Sequence, residues 1–105
     1  MQRGNLDILK VFLSKQENKN PVIYTSKNTG TDYTVLHRAA WYGHDNIVRW
    51  YQEELNYPDI NPLESLGIYT PLSIAAQFGR LNVVEYYIEA IQGEYKVLAQ
   101  FSIEN

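Results

Sequence analysis

One stretch of the chain, Thr34-Val35-Leu36-His37-Arg38-Ala39-Ala40-Trp41-Tyr42-Gly43-His44, is echoed by Thr70-Pro71-Leu72-Ser73-Ile74-Ala75-Ala76-Gln77-Phe78-Gly79-Arg80. Thr, Leu, the Ala pair and Gly recur in register, 36 residues apart. That recurrence constrains the chain more than its composition does. Stacked repeats become the first architecture to test, because a unit this short buries its apolar face only against a neighbour.

Each copy reads as a short helix. Thr34 and Thr70 stand at N-cap positions, where a hydroxyl satisfies a free amide. Leu36, Ala39 and Ala40 form the packed face, and Gly43 ends the first helix. Asp45 or Asn46 then caps a second helix over 46–55, carrying Ile47, Val48, Trp50, Tyr51 and Leu55. In the second copy Pro71 occupies the first turn, where its missing N–H costs little. A helix over about 82–92 follows, with Val83, Val84, Tyr87 and Ile88 facing inward and Gly93 at its end.

Upstream, Leu9, Phe12 and Leu13 fall at helical spacing, with Leu6 and Ile8 widening the stripe and Asn5 as N-cap. Gly4, Gly43 and Gly79 align, as do the pairs Ile8-Leu9, Ile47-Val48 and Val83-Val84. Residues 14–33 form a polar connection broken by Pro21 and Gly30, in which Val22-Ile23-Tyr24-Thr25 has strand character. Residues 56–69 form the next connection, with Pro58, Pro62 and Gly67. The stretch from Glu94 to Asn105 holds Val97, Leu98, Phe101 and Ile103 without completing a unit. The frame predicts a segment of a longer array or a truncated protein, with a capping tail helix as the competing reading.

Both copies resemble the ankyrin repeat, whose signature is Thr-Pro-Leu-His-x-Ala-Ala-x-x-Gly-His. The likeness covers residues 4–13 and 34–93. Asp59-Ile60-Asn61 stands in register with part of the family's Gly-Ala-Asp-Val-Asn turn. Val35 departs from the pattern in place of Pro, Ser73 and Arg80 in place of the two histidines, and Gln52 in place of a core leucine. Asp32 and Ile68 stand where a glycine is expected. The resemblance implies an all-α fold, an ankyrin-repeat solenoid of stacked helix-turn-helix units with hairpin-like fingers. On that frame 1–105 is a single segment. Residues 1–33 hold the second helix of a partial repeat and a long finger, 34–69 a repeat, 70–93 the helices of a repeat, and 94–105 a partial repeat or capping tail.

Charge and composition narrow the partners. The chain has 105 residues, no cysteine and a net charge of −3. Disulfides and thiolate metal sites are thereby excluded. No apolar run approaches the roughly 20 residues of a membrane span. The opening residues lack the charged-then-apolar pattern of a secretion signal. An intracellular, cytoplasmic protein is expected, with no membrane and no nucleic acid among its partners, since nucleic-acid binders usually have a pI above about 9. Residues 1–49 carry seven Lys/Arg against four Asp/Glu, and residues 50–105 two against eight. The halves are therefore charged +3 and −6. Either the solvated faces simply differ or the chain has a docking polarity.

No catalytic, cofactor or metal site is expected. His37 and His44 lack metal-ligand spacing and cysteine partners, and the resemblance implies that both bond backbone groups between adjacent turns. Ser73, His37 and an aspartate make a triad only on paper, without a nucleophile elbow. In the ankyrin family the residue before Thr and the two after Ala-Ala face a concave groove used for partner contact. Here those positions hold Tyr33, Trp41 and Tyr42 in one copy and Tyr69, Gln77 and Phe78 in the other. Such aromatic clusters are typical of hot spots, where a single truncation can cost about 2 kcal/mol or more of binding; the alternative is packing on neighbouring fingers or the next repeat. The expected function is a protein-interaction module using the concave groove and finger tips, with self-association through uncapped ends. Its rival is a structural spacer. Asp59-Ile60-Asn61 also resembles the site at which ankyrin domains are hydroxylated on Asn, but Glu53 stands where a leucine is expected, so Asn61 is read as an unmodified turn residue.

Overall fold

Five helices and one β-hairpin make up the described part of the chain, residues 2–91 of a computed structural model, with side-chain surroundings given from residue 6 onward. The first helix, α1 (Gln2–Ser14), turns Leu6, Leu9 and Leu13 toward the core, and Leu13 is almost fully buried. Ile8 and Phe12, expected within the packed stripe, are exposed. Asn5 lies inside α1 and not at its N-cap, because the helix begins three residues earlier.

The polar connection after α1 contains real strand pairing. Strand β1 (Val22–Thr25) pairs antiparallel with β2 (Asp32–Thr34), with Tyr24 opposite Tyr33, Thr25 opposite Asp32 and an irregularity between Val22 and Tyr24. The β-branched and aromatic run of β1 favours this conformation. Gly30 turns the chain at φ 74°, and the Thr25 hydroxyl donates to Asp32 Oδ1 at 2.6 Å.

Strand β2 runs directly into α2 (Val35–Tyr42), which Gly43 ends at φ 80°. Helix α3 (Asp45–Glu53) follows after Gly43 and His44 and buries Ile47, Val48 and Tyr51. An irregular loop leads to α4 (Pro71–Gln77) and then α5, residues 81–91, which buries Val83, Tyr86 and Tyr87. Helix α2 packs against α4, and Ala39, Ala40 and Ala75 are buried. Leu36, Val48, Tyr51, Val83 and Tyr87 fill one continuous core.

Four side-chain bonds anchor the helices to the preceding loops. Asn20 Oδ1 accepts the Leu36 N–H at 3.0 Å, and Asn61 Oδ1 accepts the Leu72 N–H at 3.0 Å. Each satisfies an amide in a first helical turn that lacks an intrahelical acceptor. The buried Tyr51 hydroxyl donates to the Lys19 carbonyl, and the Tyr87 hydroxyl to the Ile60 carbonyl. Burial pushes both phenols well above the ordinary tyrosine range.

The architecture corrects the expected all-α solenoid of stacked repeats. The described residues form a small compact body of mixed α/β structure, not a solenoid of repeats. Its two helical motifs are joined to the chain by unlike connections. The one before α2 is a hydrogen-bonded hairpin, whereas residues 54–70 contain no strand. Pro58 and Pro62 remove ladder donors there, and the Glu64 carboxylate instead folds the loop on itself by accepting the Ile68 N–H at 2.9 Å. The motif recurs while the unit does not. Gly93 and the tail over 94–105 lie outside the described residues.

Candidate functional site

The six aromatic-rich positions singled out in the sequence divide into a cluster of five and one outlier. Tyr33 projects from β2, and Trp41 from the last turn of α2. Gln77 and Phe78 stand at the end of α4, and Tyr69 on the loop before it. These five, with Ile74, line an open pocket of about 200 Å3. Tyr42 does not line it. One residue after Trp41 it points elsewhere, since neighbours on a helix diverge by about 100°.

Local chemistry explains how the cluster forms. The Trp41 ring stacks on Phe78 with centroids 5.0 Å apart and planes 18° from parallel. Tyr33 meets the same indole edge-on at 5.3 Å, and Tyr24 of β1 stacks on Tyr33 at 6.0 Å. The loop bearing Tyr69 is tied down twice. Glu64 N–H donates to the Tyr69 carbonyl at 2.9 Å, and Ser65 Oγ accepts the Asp32 N–H at 2.8 Å. Arg80 Nε donates to the Trp41 carbonyl at 2.8 Å, bracing the end of α2.

The rings are neither free nor fully covered. Phe78 and Tyr69 keep 40% and 38% of their surface exposed, and Trp41 and Tyr33 are half-buried. The pocket therefore offers aromatic faces and the Gln77 amide on a floor already rigidified by ring packing.

Arg38 is a site residue that the sequence reading passed over. Its guanidinium carbon lies 4.2 Å from the Tyr24 ring centroid and 4.9 Å from those of Trp41 and Tyr42, while Nη2 donates to the Tyr42 hydroxyl at 2.9 Å. The available signal was its spacing, three and four residues before Trp41 and Tyr42 on one helix face. Together with Tyr42, Arg38 lines a second, larger groove of about 470 Å3 bounded by α1, β1 and α2.

The two histidines have separate places. His37 is fully buried, its Nδ1 accepting the Thr34 N–H at 3.3 Å and its Nε2 facing the Pro62 carbonyl at 2.9 Å. That pairing fits a neutral ring with its proton on Nε2. Burial lowers its pKa, although the Pro62 carbonyl and the Glu64 charge pull it partly back. His44 precedes α3 and lines the larger groove beside Tyr42. Ser73 Oγ is engaged in capping, accepting the Thr70 N–H and donating to the Thr70 carbonyl, both at 2.9 Å. Asn61 has a structural partner in Leu72, and its own N–H donates to Asp59 Oδ1 at 3.0 Å.

Among the described residues no three His, Cys, Asp or Glu side chains gather as a metal site would require, and no helix is long and apolar enough to cross a membrane. Comparison with protein-family models, with curated proteins and with solved structures finds no match to this chain.

Proposed function

We propose that this chain is a protein-interaction module whose contact site is the pocket of Tyr33, Trp41, Tyr69, Gln77 and Phe78. One observation carries the reading: five side chains, from β2, α2, the loop before α4 and the end of α4, converge on one open cavity of about 200 Å3. That space suits a single large apolar side chain, with Gln77 at hand to bond an adjacent backbone group. Aromatic anchors prepacked against one another lose little entropy on binding, which is why Tyr and Trp dominate hot spots. The ankyrin-like motifs point the same way, since that family contacts partners at the corresponding positions.

A display selection of random peptides on the immobilised chain tests the reading. Selected peptides are expected to share one apolar or aromatic anchor and to lose at least about tenfold in affinity against Phe78→Ala. Peptides that bind Phe78→Ala and Gln77→Ala as well as the parent chain would place the contact site elsewhere.

A spacer with no partner of its own is the second reading. The Trp41–Phe78 stack favours it, because part of the aromatic surface is already engaged within the molecule. On that reading the selection yields no peptide that the parent chain retains.

A further inference from the structure

Two surfaces from differently charged halves of the molecule are complementary. The first is the groove between α1, β1 and α2, whose volume is about 470 Å3. Its lining is mostly apolar, with Ile8 at 71% exposure and Ile23 at 50%. Apolar side chains gathered in one groove and left open to water mark an interaction surface. Arg38 supplies the groove's fixed cation. It has no carboxylate partner among the described residues, whose ion pairs are Lys10–Glu54, Arg49–Asp45 and Arg49–Glu53. The three rings packed around Arg38 hold its charge in place before any partner arrives.

The second surface is the outer face of α5. Leu81 and Ile88 are 67% and 44% exposed, and exposed Glu85 lies between them. At about 100° per residue these three positions fall within a sector of about 60°. They make an apolar pair with a carboxylate on its flank, about midway between the two along the axis. Glu85, like Arg38, has no ion-pair partner among the described residues. Leu81 and Ile88 are separated by about 10 Å along the helix axis, the same rise that separates Val35 from Tyr42 along the groove wall.

We propose that the groove receives α5 of a second copy of this chain, with Leu81 and Ile88 against the apolar walls and Glu85 facing Arg38. The long-range field acts in the same direction, because residues 1–49 carry +3 and residues 50–105 carry −6. Such a contact joins unlike surfaces, so it is head-to-tail and propagates unless the rotation between copies closes a ring. It uses neither Phe78 nor Gln77 and stands independently of the peptide-binding reading.

Sedimentation of the 105-residue chain across a wide concentration range tests it. The expected result is a mass that rises with concentration and falls with added salt, since the central contact is an ion pair. Arg38→Glu and Glu85→Arg should each weaken association by at least about tenfold. An equimolar mixture of the two variants, or the double variant alone, should restore it, because every groove then meets a helix of opposite charge. Glu85 is exposed, so Glu85→Arg should leave the circular-dichroism spectrum unchanged. If Arg38→Glu fails to fold, Glu85→Arg and Ile88→Gln decide the question on their own. A chain that stays monomeric at every concentration overturns the proposal. So does association indifferent to the reversal of Glu85, which would assign it to another face.

Discussion

The indole of Trp41, at the end of α2, lies nearly parallel to the Phe78 ring beyond α4, with centroids 5.0 Å apart. The two motifs put them at non-equivalent places, since Trp41 aligns with Gln77 and Phe78 with Tyr42. Stacking across the α2–α4 contact makes the pair both a fastener and the floor of the pocket. A double-mutant cycle with Trp41→Ala and Phe78→Ala, read by urea unfolding, should show a coupling of about 1 kcal/mol. A coupling near zero would make the stack incidental to stability.

Asn20 and Asn61 each bind an amide in the first turn of the following helix, at 3.0 Å in both cases. Removing such a cap costs about 1 kcal/mol. Asn20→Ala should exceed Asn61→Ala, because Asn20 is buried and leaves the Leu36 N–H without access to water. Chemical denaturation of both variants checks the order.

His37 makes stability depend on pH. Burial holds its folded pKa below the ordinary value of 6.5, so the unfolded chain takes up the proton first as pH falls. Stability should be fully present above about pH 7, decline as pH drops through about 6.5, and level off below the folded pKa. Urea midpoints measured from neutral to mildly acidic pH should show this slope in the parent chain and not in His37→Gln. An equal slope in both would assign it to other groups.

Gly43 and Gly79 both take positive φ, 80° and 69°, but their surroundings differ. A Cβ at Gly43 would lie 3.3 Å from Arg80 Cδ, whereas one at Gly79 meets nothing within 4 Å. Gly79→Ala should cost about 1 kcal/mol from backbone strain alone. Gly43→Ala should cost more, because Arg80 must shift while its Nε is bonded to the Trp41 carbonyl. Equal losses by thermal unfolding would show that Arg80 yields freely.

Local helical signals were legible in the residues. Thr34 and Thr70 precede helices, Gly43 ends one, and Val48, Tyr51, Val83 and Tyr87 are buried at helical spacing. These depend on interactions within a few residues, which a linear chain displays. The inward stripe of α1 was misjudged at Ile8 and Phe12 because a partner's position, not periodicity, selects which side of an apolar helix is covered.

The sequence by itself determined that helices follow Thr34 and Thr70, that Gly43 ends one, and which positions carry aromatic rings, since capping and glycine geometry act over a single turn. The structure showed that the two connections differ, one a paired hairpin and the other a loop folded around Glu64. It also decided that Trp41 meets Phe78. That stack joins segments far apart in sequence, so its geometry exists only once α2 and α4 have packed.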